Sequence, residues 1–148
     1  MQKNKLYLKN DSVIRVLEER DDTALVIDCI RRTMPQWKEI VSLNGWEQCS
    51  QETLYAVTNV EVQEIDSLCP ENRKKAYERY TMIAPILRLL PDEQKKCEMI
   101  SVIAASEKIS KQTVRKYLCL YLAFQYYLQK IKKVIHAYQK TKRICGGV

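Results

Sequence analysis

The chain has 148 residues, 46% hydrophobic and 29% charged, enough for one ordinary globular domain or two very small ones. With 3 Gly and 4 Pro, the composition excludes long flexible linkers. The net charge of +7 hides a split: residues 1–70 carry 8 Lys/Arg against 12 Asp/Glu, a net of −4, and residues 71–148 carry 17 against 6, a net of +11. A chain this lopsided points its basic half at a polyanion.

Met1–Asn10 is polar and lysine-bearing and lacks the apolar core of a secretory signal. Residues 12–30 read as a β-hairpin. Val13, Ile14, Val16 and Leu17 form one run, and Leu25, Val26, Ile27, Cys29 and Ile30 form the other. The charged stretch from Glu18 to Thr23 makes the turn. A lone hairpin is unstable, so it is expected to pack with Trp37, Ile40, Val41, Leu43 and Trp46. Ser50 caps a short helix carrying Thr53, Leu54 and Val57. Asn59–Cys69 reads as an acidic connection.

Pro70 then opens a helix in the favoured first-turn position. Ala76, Tyr77, Tyr80 and Ile83 recur at helical spacing, with Arg73, Lys74, Lys75 and Arg79 among them. Pro85 is expected to kink or end that helix, because it lacks a donor and clashes with the preceding turn. Pro91 is expected to start the next, with Asp92 and Glu93 at the positive end of its dipole. The longest apolar run, Tyr117–Phe124, falls far short of the roughly 20 residues of a membrane span. A cytoplasmic location, associated with a bacterial nucleoid, is therefore expected.

The cysteines stand at 29, 49, 69, 97, 119 and 145, with no close pair, and His136 is the one histidine. Zinc ligands usually come in close pairs. Neither metal nor cofactor is expected, and the thiols are expected to be reduced and mostly buried.

Residues 94–122 carry the most informative pattern. A first helix places Cys97, Ile100, Ile103 and Ala104 on its buried side. Ser106–Ile109 makes a turn, and Ser110 caps a second helix. That helix has an apolar face of Val114, Tyr117, Leu118, Tyr121 and Leu122, spaced i, i+3, i+4, i+7, i+8. The arrangement fits a helix-turn-helix. Lys108 is the poor fit, because that turn position favours a left-handed backbone, which costs lysine roughly 1–2 kcal/mol. The outward face of the second helix presents Lys111, Gln112, Thr113, Arg115 and Lys116. Arg pairs bidentately with guanine and Gln with adenine, so Arg115 and Gln112 are candidate base readers. Ser110, Lys111 and Lys116 are candidate phosphate contacts.

ISKQTVRKYLCLYLAFQ at 109–125, preceded by ERYTMIAPIL at 78–87, resembles the N-terminal part of Mu-type and TnsB-type transposases, within the wider retroviral-integrase superfamily. The order of KLYLKNDSVIRVLEERDDTALVIDC at 5–29 and MPQW at 34–37 is also similar, so the resemblance spans roughly residues 5–125. It implies binding to the ends of a mobile element through N-terminal DNA-binding domains, with the recognition helix at Ser110–Phe124. The family's strand-transfer chemistry belongs to a later RNase H-like domain with three carboxylates and divalent metal. That domain would begin beyond residue 125, so no catalysis is expected here. After Gln125 the family's proline-containing linker gives way to a proline-free stretch with six basic residues. Tyr127, Ile131, Val134, Ile135 and Tyr138 recur there at helical spacing. The stretch is either a basic amphipathic helix that grips phosphates or a partner, or the product of a reading-frame change near Gln125.

The expected architecture is α+β, mainly α. A small β-hairpin module occupies 1–58, the connection 59–69, the helix-turn-helix domain 70–125 and the basic tail 126–148. The expected function is sequence-specific duplex DNA binding at mobile-element ends by a transposase-derived fragment. Its expected partners are DNA, other transposition proteins or a second copy, and no membrane. The alternative is a free-standing helix-turn-helix transcription regulator, whose target is an operator. A third class is a protein whose basic helices dock an acidic partner.

Overall fold

A computed structural model describes residues 1–59 and 69–124. The central part of the connection and the whole basic tail expected at 126–148 lie outside the described residues. The fold is α+β, with a five-stranded antiparallel sheet and four α-helices among the described residues. It divides into two compact units. The first comprises residues 1–59 with Leu122–Phe124, and the second residues 69–121.

In the first unit the expected hairpin is the centre of a larger sheet. The strands are β1 (Leu6–Lys9), β2 (Ser12–Arg20), β3 (Thr23–Asp28), β4 (Gln36–Glu39) and β5 (Glu47–Cys49), in the order β4-β3-β2-β1-β5. A hairpin module is thus too small a description. β1 was hidden by its polar flanks, and β4 and β5 are short edge strands with mostly exposed side chains. Asn10 and Asp11 join β1 to β2, both with positive φ (48° and 64°). That backbone suits a tight hairpin and is best tolerated by Asn, Asp and Gly. Asp21, at φ 53°, serves the next reversal, where the Thr23 hydroxyl donates to the Arg20 carbonyl at 2.8 Å.

The β2–β3 register slips between Val16 and Glu18, leaving Leu17 as an extra residue. Such a bulge resets the alternation of faces, so Val16 and Leu17 are both buried. On one face Tyr7, Ile14, Val16, Ala24 and Val26 pack with Leu43, supported by Ile40 and Trp46. On the other, Arg15 stands level with Leu6 and Ile27. α1 (Gln51–Thr58) and the end of α4 serve this face. As expected, the Ser50 hydroxyl caps α1, accepting from the Thr53 N–H at 3.2 Å.

In the second unit α2 spans Pro70–Leu87, with Pro70 in its first turn. Pro85 does not end it at once, because the helix runs two residues further. Placed there, the proline disrupts only the last turn. α3 (Glu93–Glu107) starts later than Pro91. Asp92 is its cap, accepting from the Lys95 N–H at 3.0 Å. α4 spans Lys111–Phe124. No helix among the described residues is long and apolar enough to cross a membrane.

Candidate nucleic-acid interface

The site is built on the α3–α4 junction. α3 takes in Ser106 and Glu107, so the connection narrows to Lys108, Ile109 and Ser110. Lys108 is left-handed, at φ 57° and ψ 43°. Its N–H donates to the Ala105 carbonyl at 3.4 Å, and the Ile109 N–H donates to the Ala104 carbonyl at 3.0 Å. Together these bonds make the Schellman ending of a helix, which consumes two orphan carbonyls.

The buried stripe of α3 differs from expectation by one position. Lys96 is 1% exposed, whereas Cys97 is exposed. Lys96, Ile100, Ile103 and Ala104 follow i, i+4, i+7, i+8, a straighter stripe than one starting at Cys97. The Lys96 Nζ pairs with a Glu93 carboxylate oxygen at 2.8 Å, one turn back. That hydrogen bond holds the Glu93 carboxyl below its ordinary range. The basic residues of α2 lie in the same unit. Lys74 and Lys75 are exposed, and the Arg79 guanidinium lies 4.7 Å from the Tyr117 ring centroid. Tyr80 meets Tyr121 edge to face at 5.6 Å, so α2 braces α4 at two rings.

On α4 the Ser110 Oγ accepts from the Thr113 N–H at 3.1 Å and lies 2.9 Å from the Thr113 hydroxyl. Both hydroxyls are therefore part of the cap. Lys111, Gln112 and Lys116 are exposed, while Thr113 and Arg115 are half-buried. The expected outward residues thus share the first two turns of one helix. The opposite face buries Val114, Leu118, Tyr121 and Leu122, with Tyr117 half-buried. Farther along, Cys119, Leu120, Ala123 and Phe124 are buried too, so the last turns of α4 have no exposed side.

The end of α4 meets a residue that sequence reasoning passed over. Arg15, 3% exposed, donates from Nε to the Ala123 carbonyl at 3.1 Å. It also donates from Nη1 to the Asn4 carbonyl at 3.0 Å and from Nη2 to Gln51 Oε1 at 2.9 Å. Gln51 Nε2 donates to the Phe124 carbonyl at 3.0 Å. Cationic donors at a helix C-terminus complement its dipole. The available signal was the run Val13–Leu17, where one arginine interrupts residues buried on both sheet faces.

Two of the described thiols, Cys29 and Cys119, are buried. Burial pushes Cys29 up to about 12 and Cys119 to about 11, which leaves little nucleophilic thiolate. Cys29, Cys49, Cys97 and Cys119 are not in disulfides, whereas Cys69 is disulfide-bonded, contrary to the expectation of reduced thiols throughout. Among the described residues no group of three or more His, Cys, Asp or Glu could hold a metal ion. Compared with protein-family models and with curated proteins, the sequence matches none.

Proposed function

We propose that α3 and α4 act as a helix-turn-helix that binds duplex DNA, with α4 as the recognition helix. The observation that carries this reading is the two-sided character of α4's first turns. Lys111, Gln112 and Lys116 are exposed on one side, and Val114 and Leu118 are fully buried on the other. The three-residue connection and the capped start at Ser110 support it. The first N–H groups of α4 favour a phosphate, and Lys111 and Lys116 add charge. Arg115 and Gln112 are the base readers. The resemblance to the transposase N-terminal region suggests the ends of a mobile element as the target.

The test compares selected sites with random duplex DNA. Arg115→Ala is expected to weaken selected sites by roughly 1–3 kcal/mol and random DNA much less. Lys116→Ala is expected to weaken both about equally. With six or so phosphates neutralised, log K should fall with log salt at a slope of about −5. A flat salt response would remove duplex DNA as the ligand. Selected sequences that match no inverted element ends would remove the mobile-element assignment.

A further inference from the structure

We propose, resting on the reading of α4 as the recognition helix, that α2 supplies the phosphate contacts along one flank of it. Arg79, stacked on Tyr117, and Lys75, one turn before it, grip the DNA backbone there. An α-helix with its side chains is about 10–12 Å across and fills the roughly 12 Å width of the major groove. It therefore faces a phosphate backbone on each side. At about 100° per residue, Gln112 and Lys116 occupy the middle of the exposed face of α4. Lys111 and Arg115 project to one flank, and Thr113 and Tyr117 to the other. The first flank carries two charges, whereas the second has none of its own.

Two ring contacts place α2 against that second flank. The Arg79 guanidinium lies 4.7 Å from the Tyr117 ring centroid, and Tyr80 meets Tyr121 at 5.6 Å. Adjacent residues of α2 thus touch positions one turn apart on α4. The two helices therefore cross, and the first turns of α4 lie on the Arg79 side of the crossing. Lys75 precedes Arg79 by one turn on that same side and is exposed. Lys74 is exposed too, but it projects about 100° farther from the crossing, toward a cleft it lines with Ser106 and Glu107.

The state of Arg79 suits an anion. The residue is half-buried, and its Nη1 is buried without a hydrogen-bond partner. Among the described residues no carboxylate pairs with it. Buried donors are nearly always satisfied, so an orphan on a cation points to an acceptor supplied from outside the chain. The Tyr117 ring fixes the plane of the guanidinium and leaves it able to turn within that plane. Turning presents two parallel donors to a phosphate, the bidentate geometry that arginine favours. Lys75 adds a point charge. Glu71 and Glu78, both exposed, project farther from the crossing than Lys75, so they bound the basic strip on its outer side.

Fluorescence anisotropy of selected and random duplexes, titrated with the full chain over a range of salt, tests this. Arg79→Ala should weaken both duplexes alike, by roughly tenfold, and make the slope of log K against log salt shallower by about one. Lys75→Ala should also make the slope shallower by about one, whereas Lys74→Ala should leave it unchanged. Arg79→Lys keeps the charge, so it should restore the slope while recovering only part of the affinity. If the unaltered chain binds duplex DNA with a steep slope and either Arg79→Ala or Lys75→Ala keeps that slope, the clasp is overturned and the recognition helix stands. Weaker binding by Arg79→Ala at an unchanged slope would mean that the arginine only braces Tyr117, which overturns the clasp as well. A flat salt response of the unaltered chain removes duplex DNA as the ligand and the clasp with it. Because Lys74 and Lys75 are both exposed, their comparison decides the matter even if Arg79→Ala fails to fold: equal slopes in those two variants overturn the proposal.

Discussion

Both units bury a basic side chain, and they hold it in different ways. In the sheet unit the Arg15 guanidinium reaches three acceptors, one of them 108 residues away in sequence. In the helical unit Lys96 is served by Glu93, three residues away on the same helix. The first arrangement joins strand, loop and two helix ends, so it exists only once the unit is assembled. The second forms within a single turn. A buried basic group held by distant acceptors supports tertiary structure, whereas one held by a local partner mainly stabilises the helix that carries both.

That contrast predicts unequal losses. Arg15→Ala takes a charged donor from three acceptors, of which the Ala123 carbonyl is buried and also accepts from the Cys29 thiol, while the Asn4 and Gln51 bonds are half-buried. With about 1–3 kcal/mol for losing a charged hydrogen bond at a buried acceptor and less at the half-buried two, the expected loss is about 2–3 kcal/mol. Urea unfolding followed by hydrogen exchange of β2 and β3 measures it. Arg15→Lys should recover only part of the loss, because an ammonium cannot present the planar fork. If Arg15→Ala costs no more than an ordinary surface change, then the guanidinium does not hold the end of α4.

Glu93→Gln is expected to cost less, no more than about 1 kcal/mol, because the carboxylate is 75% exposed and screened by water. Its pH dependence has a definite sign. The folded carboxyl is held below the ordinary 4.5, chiefly by the hydrogen bond from Lys96. The contribution is therefore present above 4.5 and disappears as pH falls through the lower folded value. Lys96→Met should abolish that acid dependence while leaving stability near neutral pH unchanged or slightly raised, since it replaces a buried ammonium by an apolar side chain of similar length. Retention of the same acid limb in Lys96→Met would show that another group titrates there.

The same contrast explains what could be read in the sequence. The β2–β3 hairpin, the Ser50 and Ser110 caps, the Pro70 helix start and the left-handed Lys108 are local features. Each is set by a few adjacent residues whose backbone preferences are strong. The remaining strands were not legible, because β4 and β5 are four and three residues long and gain their order from pairing with neighbours. Arg15 was not legible as a buried group, because its acceptors come from residues 4, 51 and 123. The Lys96 register was within reach: Glu93 stands one turn before it, and a stripe from 96 keeps the helical period better than one from 97. For the candidate interface, the outward residues of α4 could be assigned to one face from spacing alone. The engagement of Ser110 and Thr113 in a shared cap became visible only with their hydroxyls in place.

The smallest expected effect compares two helix ends, one in each unit. α1 ends at Asn59 with φ 55° and ψ 39°, and α3 ends at Lys108 with φ 57° and ψ 43°. The backbones are alike and the side chains are not. Asparagine tolerates the left-handed region, whereas lysine meets a cost of roughly 1–2 kcal/mol there. Glycine removes that cost but loses about 0.5–1 kcal/mol to its greater freedom in the unfolded chain. Lys108→Gly should therefore stabilise the helical unit by about 0.5–1 kcal/mol. Asn59→Gly should leave the sheet unit within about 0.5 kcal/mol of its starting stability, or slightly lower it. Thermal unfolding, with hydrogen exchange at Ile109 and at Asn59, reads the two separately. Equal shifts from the two substitutions would mean that Lys108 carries no backbone strain, and that the helix-turn-helix tolerates lysine there at no cost.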